Sequence, residues 1–355
     1  MTWRMNKYVV FPYDDHLKEI VNWTDENIED SIKDLLTMKG WGSCGSQVRI
    51  GNELVCVKSS LNEISEDCNS IWIVESYYDL DFFVHILPVL IHAKKKRWFV
   101  YYGRALSKNE EGVIRSIIDE KYLTILKQEY KDDDMQNRLY DITKPVIWIV
   151  DMFSGMPYQN VLFRLYDSFQ QLGYTVNVVS KRKDVPLLFK EVKMFPNVLE
   201  TDIKESAKFI NHYLKGIERR EDKDLFLIEI PGNLLEISKK VYGDYGVGAF
   251  IISKAAPPDI IICNIPYMDR VLENVAGLLA AVESSMGLVV DCLNMIPEYF
   301  DLLESEQMGN FEYVTLSNDF IDDKIKDCSD VFNINSEDKA QNLAKLILRQ
   351  LNSYA

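Results

Sequence analysis

The sequence predicts an α/β fold with two lobes, each of which contains a mainly parallel β-sheet. The clearest observation is residues 145–180, in which two apolar runs flank an amphipathic stretch at 158–172, a pattern that predicts a strand, a helix and a strand. Gly173 follows this helix at the position where a terminating glycine is expected. The second observation is that strand and helix patterns also alternate along residues 8–118. The third is the length of 355 residues, which favours two domains.

The predicted domains are 1–130 and 140–355, because the residues around the boundary are rich in charge. Residues 122–143 are expected to form a helix followed by an exposed linker. Residues 27–36 fit either a helix or the approach to a strand, and the pattern leaves both open. Beyond the central strand–helix–strand unit, residues 234–242 are expected to form a helix.

The second domain contains further expected elements. The strand at 225–230 contains Glu229, whose face, and therefore whose role, the pattern leaves open. A loop at 245–248 is expected to lead into a strand at 249–253, so its two glycines would precede a strand, which is the wrong context for a dinucleotide site. A single long apolar helix is expected at 268–286.

Charge and hydropathy exclude several classes of protein. The formal net charge of -15 at pH 7 argues against nucleic acid or an anionic membrane as the main partner, because both would repel the chain. No apolar run is long enough to span a bilayer, and the first residues lack the features of a signal peptide. We therefore expect a cytoplasmic protein with no membrane partner. The densest basic run, 94–97, is interpreted as a solvated helix end.

The sequence gives no metal-binding pattern. The six cysteines contain no CxxC pair, and Cys56, Cys263 and Cys292 lie in apolar strand patterns that predict small core residues. His85 and His92 are seven residues apart in a predicted helix, but no carboxylate pattern accompanies them. We expect no metal ion and no cofactor.

The loop after the central strand has the position of a phosphate-binding loop without its chemistry. Such a loop needs G-x-x-x-x-G-K-[ST], whose lysine neutralises phosphate charge and whose hydroxyl residue holds Mg²⁺. With Asp151 at the first glycine position, Met156, Pro157 and Tyr158 take the positions of the second glycine, the lysine and the hydroxyl residue. Asp151 would repel a phosphate, and Pro157 has no N–H to donate. We expect no hydrolysis of ATP or GTP by this loop.

Open α/β sheets bind ligands at the carboxyl ends of their strands, and here those ends are rich in acidic and aromatic residues. Such a rim suits a cationic or apolar peptide segment better than a phosphate, with aromatic rings as anchors. The glycine-rich turn at 39–45 fits either an anion cradle or a structural turn. The candidate ligand- or partner-binding residues are Asp14, Asp15, His16, Trp41, Tyr77, Tyr78, Asp151, Phe153, Gly155, Tyr158, Gly232, Asn233 and Tyr267.

Four segments carry a resemblance to a known family. They are FPYDDH at 11–16, MKGWGSCG at 38–45, LFLIEIPGNLL at 225–235 and YGVGAFIISKAAPPDIIICNIPY at 245–267. These segments resemble the accessory proteins of clostridial peptide maturation systems, which are encoded beside a radical SAM maturase and a short Cys-rich, bacteriocin-like precursor. At the level of the fold, the first half resembles a Rossmann-like domain. The second half resembles a degenerate P-loop NTPase domain of the MinD type, without a functional Walker A motif.

This resemblance implies a role in the biosynthesis of a ribosomally synthesised and modified peptide (RiPP), by a mechanism that it leaves open. Together with the missing phosphate-binding residues, it favours a non-hydrolytic accessory protein. Its partner would be the precursor peptide, the radical SAM maturase or both, and the resemblance carries over no catalytic residues. The alternative is an enzyme or sensor that binds a small ligand in the cleft between the two lobes, although no catalytic motif is intact. The oligomeric state is left open, with a homodimer as one option. An accessory factor should co-purify with its partner and show no turnover alone.

Overall fold

The chain divides into two compact units. Unit 1 comprises Met1–Lys127 and Arg182–Met194, and unit 2 comprises Gln128–Lys181 and Phe195–Ala355. The segment Arg182–Met194 therefore groups with the first part of the chain. The predicted domains, 1–130 and 140–355, place this segment in the second domain instead. A computed structural model describes residues 5–126, 137–157, 160–196, 202–241, 243–328 and 331–354.

The first part of the chain forms one mainly parallel sheet, with three α-helices among its described residues. The strands follow the order β3-β4-β2-β1-β5-β6-β7, and all neighbours are parallel except β3 and β4. A π-helical turn, Phe82–Ile86, precedes α2. The elements are β1 (Lys7–Phe11), α1 (Lys18–Asn27), β2 (Ser31–Leu36), β3 (Gln47–Ile50), β4 (Glu53–Lys58), β5 (Ser70–Ile73), α2 (Leu87–Lys96), β6 (Phe99–Tyr102), α3 (Lys108–Ile117) and β7 (Leu123–Ile125).

The rest of the chain provides the second sheet, except that the segment Arg182–Met194, which contains α5 and β10, groups with unit 1. The strands of the second sheet follow the order β9-β11-β8-β12-β13-β14, with β15 beside β13; β9 to β13 are parallel, and β14 is antiparallel to β13. The elements are β8 (Val146–Asp151), α4 (Val161–Gln171), β9 (Val176–Ser180), α5 (Val185–Leu188), β10 (Val192–Met194), α6 (Ile203–Arg220), β11 (Leu225–Asn233), α7 (Val247–Ala255), β12 (Ile260–Tyr267), α8 (Asp269–Glu273), α9 (Val275–Met286), β13 (Cys292–Phe300), α10 (Leu302–Met308), β14 (Tyr313–Thr315), α11 (Asn318–Ile325), β15 (Val331–Phe332) and α12 (Glu337–Tyr354). The two sheets confirm the predicted α/β class.

Strand β8 lies in the interior of the second sheet, between β11 and β12. Its side chains are therefore buried along its whole length. Trp148 and Val150 of β8 belong to the same apolar cluster as Ile210 and Leu214 of α6. A strand buried on both faces reads as a continuous apolar run, which is why the sequence located it. Gly173 has a φ of 87°, as expected of the glycine that ends α4.

Two expected elements of the second domain are wrong. Residues 249–253 lie in the helix α7, not in a strand, because Gly246 adopts a left-handed φ of 79° and begins the helix. A short apolar run does not distinguish a buried strand from a buried helix. The expected helix at 234–242 is absent from the described residues of that range, since the backbone N–H groups of Leu234 and Leu235 donate to Met152 O at 3.2 and 2.9 Å.

Other boundaries also differ from the expectation. Leu123–Ile125 forms the edge strand β7 and not a helix, while residues 127–136 lie outside the described part of the chain. The long helix expected at 268–286 is two helices, α8 and α9, because Asn274 leaves the helical conformation and its side chain caps α9 at Gly277 N. The ambiguous residues 27–36 contain the end of α1 and the whole of β2.

The described part of the chain contains no helix that is both long and apolar enough to cross a membrane.

Candidate functional site

Three loops converge at the carboxyl edge of the unit 1 sheet. They follow β2, β1 and β5, which are adjacent and parallel. The strand that follows β1 in the chain, β2, lies on one side of β1 in the sheet, and β5 lies on its other side. The strand order therefore reverses between β1 and β5, which makes this position a topological switch point. Crevices at such points are where open α/β sheets bind their ligands.

Asp14 joins two of these loops from a buried position. Its side chain is 1% exposed. Oδ1 accepts a hydrogen bond from His16 N at 3.0 Å, and Oδ2 accepts from Ser76 Oγ at 2.8 Å and from Tyr77 N at 3.1 Å. The carboxylate therefore fixes the loop after β5 against the loop after β1. Its role is to position the loops, and the neighbouring Asp15 is the exposed carboxylate of the pair.

Four rings lie in continuous contact above this anchor, and we call them the aromatic row. The centroids of His16 and Tyr77 are 4.8 Å apart, those of Tyr77 and Tyr78 are 5.4 Å apart, and those of Tyr78 and Trp41 are 4.7 Å apart. Tyr77 is 36% exposed and Tyr78 is 46% exposed, whereas His16 and Trp41 are half-buried. The structure thus brings together all six unit 1 residues that the sequence nominated.

Three charged residues beside the aromatic row, Glu75, Arg182 and Asp184, were not among the residues nominated from the sequence. The segment Arg182–Met194 supplies Asp184, which accepts from Glu75 N at 2.9 Å and pairs with Arg182. Its backbone carbonyl accepts from Trp72 Nε1 at 3.0 Å, and Arg182 Nη2 donates to Glu75 O at 2.9 Å. Burial and then the Asp184 carboxylate raise the pKa of Glu75 to about 7, although Arg182 opposes the shift. Glu75 therefore changes charge near neutral pH.

The equivalent switch point of unit 2 lies between β8 and β12, and it holds a polar network. Asp151 ends β8, and its carboxylate receives Lys181 Nζ at 2.7 Å and Asn264 Nδ2 at 2.8 Å. Asn264 Oδ1 accepts in turn from Asn294 Nδ2 at 2.9 Å. Lys181 Nζ also lies 3.7 Å from Glu229 Oε1, so one lysine faces two carboxylates. Sequence reasoning nominated Asp151 and missed its partners, which come from other strands.

The loop after β8 is covered by the protein's own side chains. Phe153 is 5% exposed and lies in the apolar core of unit 2. A Cβ on Gly155, which has a φ of 70°, would meet the ring of Phe311 at 2.5 Å. Tyr313 OH donates to Ser154 O at 3.0 Å. Phe311 and Tyr313 therefore pack against the loop after β8.

The nominated residues Gly232 and Asn233 close the same region from β11. Asn233 Oδ1 accepts a hydrogen bond from Ser154 Oγ, and Asn233 Nδ2 donates to Leu235 O at 2.8 Å. Gly232 has a φ of 94°, and a Cβ there would collide with the Asp244 carboxylate. Both residues therefore have structural partners, and their nomination as binding residues stays a prediction.

The nominated aromatics of unit 2 that the structure describes, Phe153 and Tyr267, are buried. Tyr267 is buried, its ring makes an edge contact with Phe320 at 5.2 Å, and its hydroxyl donates to Asp269 Oδ1 at 2.5 Å. Tyr158 lies outside the described residues. The exposed aromatic candidates that the structure describes are thus those of unit 1.

No group of three or more His, Cys, Asp or Glu side chains that could hold a metal ion occurs in the described residues. Cys263 is buried as expected, and burial, with a smaller effect of Asp151, raises the pKa of its thiol well above the usual value. The expectation that Cys56 is a core residue is wrong, because alternation along β4 leaves it exposed.

Neither a protein-family model nor a curated protein matches the chain. Among solved structures, it is similar to a DUF1611 family protein from Anabaena variabilis, with 10% identity and a TM-score of 0.53, over 82% of this chain and 87% of that chain. It is also distantly similar to the MinD cell division protein of Aquifex aeolicus, with 14% identity and a TM-score of 0.30 over 58% of this chain and 97% of that one. FtsY from Mycoplasma mycoides gives 13% identity and a TM-score of 0.27, over 65% of this chain and 78% of that chain. The likeness to the DUF1611 protein concerns the fold alone, over most of the chain, and the fold is an α/β arrangement with two mainly parallel sheets.

Proposed function

We propose that this chain is a non-hydrolytic accessory protein in the maturation of a ribosomally synthesised, modified peptide, and that it acts in the cytoplasm. Its contact with the precursor peptide or the maturase is made by the aromatic row of unit 1. The observation that carries the proposal is the pair of exposed rings, Tyr77 and Tyr78, at the switch point of the first sheet. Exposed Tyr and Trp rings on a rigid support are the side chains that dominate binding energies at protein interfaces.

The support beneath these rings favours recognition of an extended partner. Asp14 fixes the backbone of Tyr77, and His16 and Trp41 pack against the two tyrosine rings from the ends of the row, so the tyrosines have little side-chain freedom left to lose on binding. The exposed Asp15 and the net charge of -15 favour a cationic or apolar segment over a phosphate.

The chemistry of unit 2 supports the non-hydrolytic part of the proposal. The loop after β8 has Pro157 where a nucleotide-binding loop has its lysine, and Phe311 packs over Gly155. The cation at this edge, Lys181, contacts Asp151 and Glu229 and is thus already engaged by carboxylates. Incubation with Mg²⁺ and ATP or GTP should release phosphate no faster than a buffer blank. Turnover that disappears when Asp151 or Gly155 is changed would contradict the proposal.

The experiment that tests the proposal begins with the genes beside the gene for this chain. A short Cys-rich precursor and a radical SAM maturase should be encoded there, and both should be expressed together with the tagged full-length chain. The proposal predicts that one of them co-purifies with the chain in stoichiometric amount. It is wrong if neither is encoded nearby, or if both are present in the cells and neither is retained.

A second candidate function is an enzyme or sensor for a small ligand, and Glu75 favours it. A carboxyl group with a pKa of about 7 at a switch point can accept or donate a proton at neutral pH. Arg182 and Asp184 lie beside it and could orient a polar ligand. A Glu75→Gln variant that still retains the peptide or maturase would favour the accessory role. Loss of a measured small-molecule turnover in that variant would favour the enzyme.

A further inference from the structure

Unit 1 contains a cavity of about 390 Å³ at the opposite edge of its sheet from the aromatic row. Its lining comes from the carboxyl ends of α2 and α3 and from the residues that precede β6 and β7. The volume lies in the range of about 300–1,000 Å³ that is usual for small-molecule sites. None of the residues nominated from the sequence lines it, and the proposed function does not use it.

The floor of the cavity is apolar and aromatic. Trp98 precedes β6 and is 5% exposed, and Ile118, at the end of α3, is also buried. Tyr122 precedes β7 and presents a half-buried ring. Planar side chains on a buried floor are suited to stacking against a flat ring of a ligand.

The rim of the cavity is cationic, in a chain that is strongly acidic. Lys94, Arg97 and Lys121 line it, together with a single carboxylate, Asp119. Lys121 Nζ lies 3.9 Å from Asp119 and 5.0 Å from the centre of the Tyr122 ring. Within the described residues, the side chains of Lys94 and Arg97 have no ion pair or hydrogen bond. Lys94 and Arg97 thus both line the cavity without a side-chain partner among the residues that the structure describes.

Arg97 occupies a position that a glycine usually takes. It ends α2 in the left-handed conformation, with φ 57° and ψ 42°, and its N–H donates to Ala93 O and Lys94 O. A residue with a side chain costs roughly 1 kcal/mol more than glycine in this conformation. The chain carries a guanidinium there nonetheless, and that group lines the cavity.

The run 94–97 was first interpreted as a solvated helix end, because cations are favourable near the carboxyl end of a helix dipole. That interpretation applies equally to all the cations of the run. Lys95 and Lys96 lie on the same helix end but do not line the cavity, whereas Lys94 and Arg97 do. The chain thus offers a matched pair of double variants that separates the two interpretations.

We propose that this cavity binds a small anion that carries an aromatic ring, with Lys94 and Arg97 facing the anionic group and Trp98 and Tyr122 facing the ring. The site takes a ring and a charge together, because its floor is aromatic and its rim is cationic. A ligand with only a charge would leave the aromatic floor without a contact, and a ligand with only a ring would leave the cationic rim without one.

The test uses 8-anilinonaphthalene-1-sulfonate, an aromatic anion, in fluorescence titrations of the full-length chain at constant ionic strength. The neutral analogue N-phenyl-1-naphthylamine measures binding of the rings without the charge. The Lys94→Glu/Arg97→Glu variant should bind the sulfonate at least about tenfold more weakly, because two attractive charges become repulsive. The Lys95→Glu/Lys96→Glu variant has the same net charge and should stay within about twofold of the wild type. Binding of the neutral analogue should be the same in all three proteins.

The Lys94→Gln/Arg97→Gln variant repeats the test without introducing acidic groups at the helix end, in case the first variant fails to fold. It should also weaken binding of the sulfonate more than the Lys95→Gln/Lys96→Gln variant does. Three results would overturn the proposal. They are no binding of the sulfonate to the wild type, an equal loss in the two matched variants, and no loss in either.

Discussion

The two sheets of this protein have the same kind of edge and use it differently. In unit 1, the edge at β1 and β5 has buried polar anchors beneath exposed rings, since Asp14 fixes the loops and leaves Tyr77 and Tyr78 at the surface. In unit 2, the edge at β8 and β12 is filled, since Phe153 is buried and Phe311 covers Gly155.

The difference shows that a topological switch point marks where a binding site can form, but does not by itself provide one. Both units satisfy the topological rule, but only the side chains at each edge determine whether a ligand can reach it. In unit 2 the one ammonium group of Lys181 lies between two carboxylates, those of Asp151 and Glu229, so its charge is already engaged within the protein.

The filled edge of unit 2 should be intolerant of any added volume. Gly155→Ala places a Cβ at 2.5 Å from the Phe311 ring and also strains a φ of 70°, so we expect a loss of about 3 kcal/mol in the free energy of unfolding. Gly173→Ala is the matched control, because Gly173 has a φ of 87° but no atom within 4 Å of its added Cβ. It should cost only about 1 kcal/mol. Urea-induced unfolding measures both losses.

A second variant shows whether Phe311 causes the difference. Phe311→Ala in the Gly155→Ala background should cost less than Phe311→Ala alone, because removal of the ring relieves the collision with the added Cβ. Equal costs for the two glycine variants would mean that the loop after β8 is not covered.

The charge balance of unit 2 should depend on Lys181. Lys181→Met leaves Asp151 and Glu229 near each other without their cation, and we expect a loss of about 2–3 kcal/mol at pH 7. Lys144→Met is the control, since its partner Asp222 is almost fully exposed, and it should leave the unfolding midpoint unchanged. A Lys181→Met variant as stable as the wild type, or an equal loss in Lys144→Met, would contradict this account.

The open edge of unit 1 should contain a titrating group. Burial and Asp184 raise the pKa of Glu75 to about 7 in the folded protein, above the 4.5 that is usual for a glutamate. The folded state therefore holds this proton more tightly, and the contribution to stability is present below about pH 4.5 and lost as the pH rises through 7. Glu75→Gln mimics the protonated group and should be more stable than the wild type at pH 8 by about 1–2 kcal/mol, but not at pH 4. Stability curves that run parallel from pH 4 to pH 8 would exclude the shift.

The sequence was sufficient to predict those strands and helices whose hydrophobic pattern is contained within a few neighbouring residues. The apolar runs of β8 and β9, the helix α4 and Gly173 were all predicted, because burial and chain reversal leave a pattern within a few residues. Helix α7 was predicted as a strand because its apolar run has no period, and only the left-handed Gly246 marks its beginning.

The candidate site of unit 1 was predictable in part. Loops that follow adjacent parallel strands must meet, so Asp14 and Tyr77 could be placed together from the sequence. The contact of Glu75 with Asp184 could not be, because it joins residues 109 positions apart through a segment that leaves unit 2. The burial of Phe153 was missed for a similar reason, since an aromatic residue in a loop carries no sign of the face it presents.

The measurement that tests the central claim most directly is the affinity of single alanine variants for the co-purified precursor or maturase, determined by isothermal titration calorimetry. Tyr77→Ala and Tyr78→Ala remove exposed rings and should change stability by less than about 1 kcal/mol. Each should nevertheless weaken binding by about 1–2 kcal/mol, or roughly five- to thirtyfold. Tyr299→Ala is the matched control, because Tyr299 is 38% exposed but lies on β13 of unit 2, and its affinity should be unchanged. Unchanged affinity in folded Tyr77 and Tyr78 variants, or an equal loss at Tyr299, would contradict the claim that the open edge of unit 1 is the binding surface.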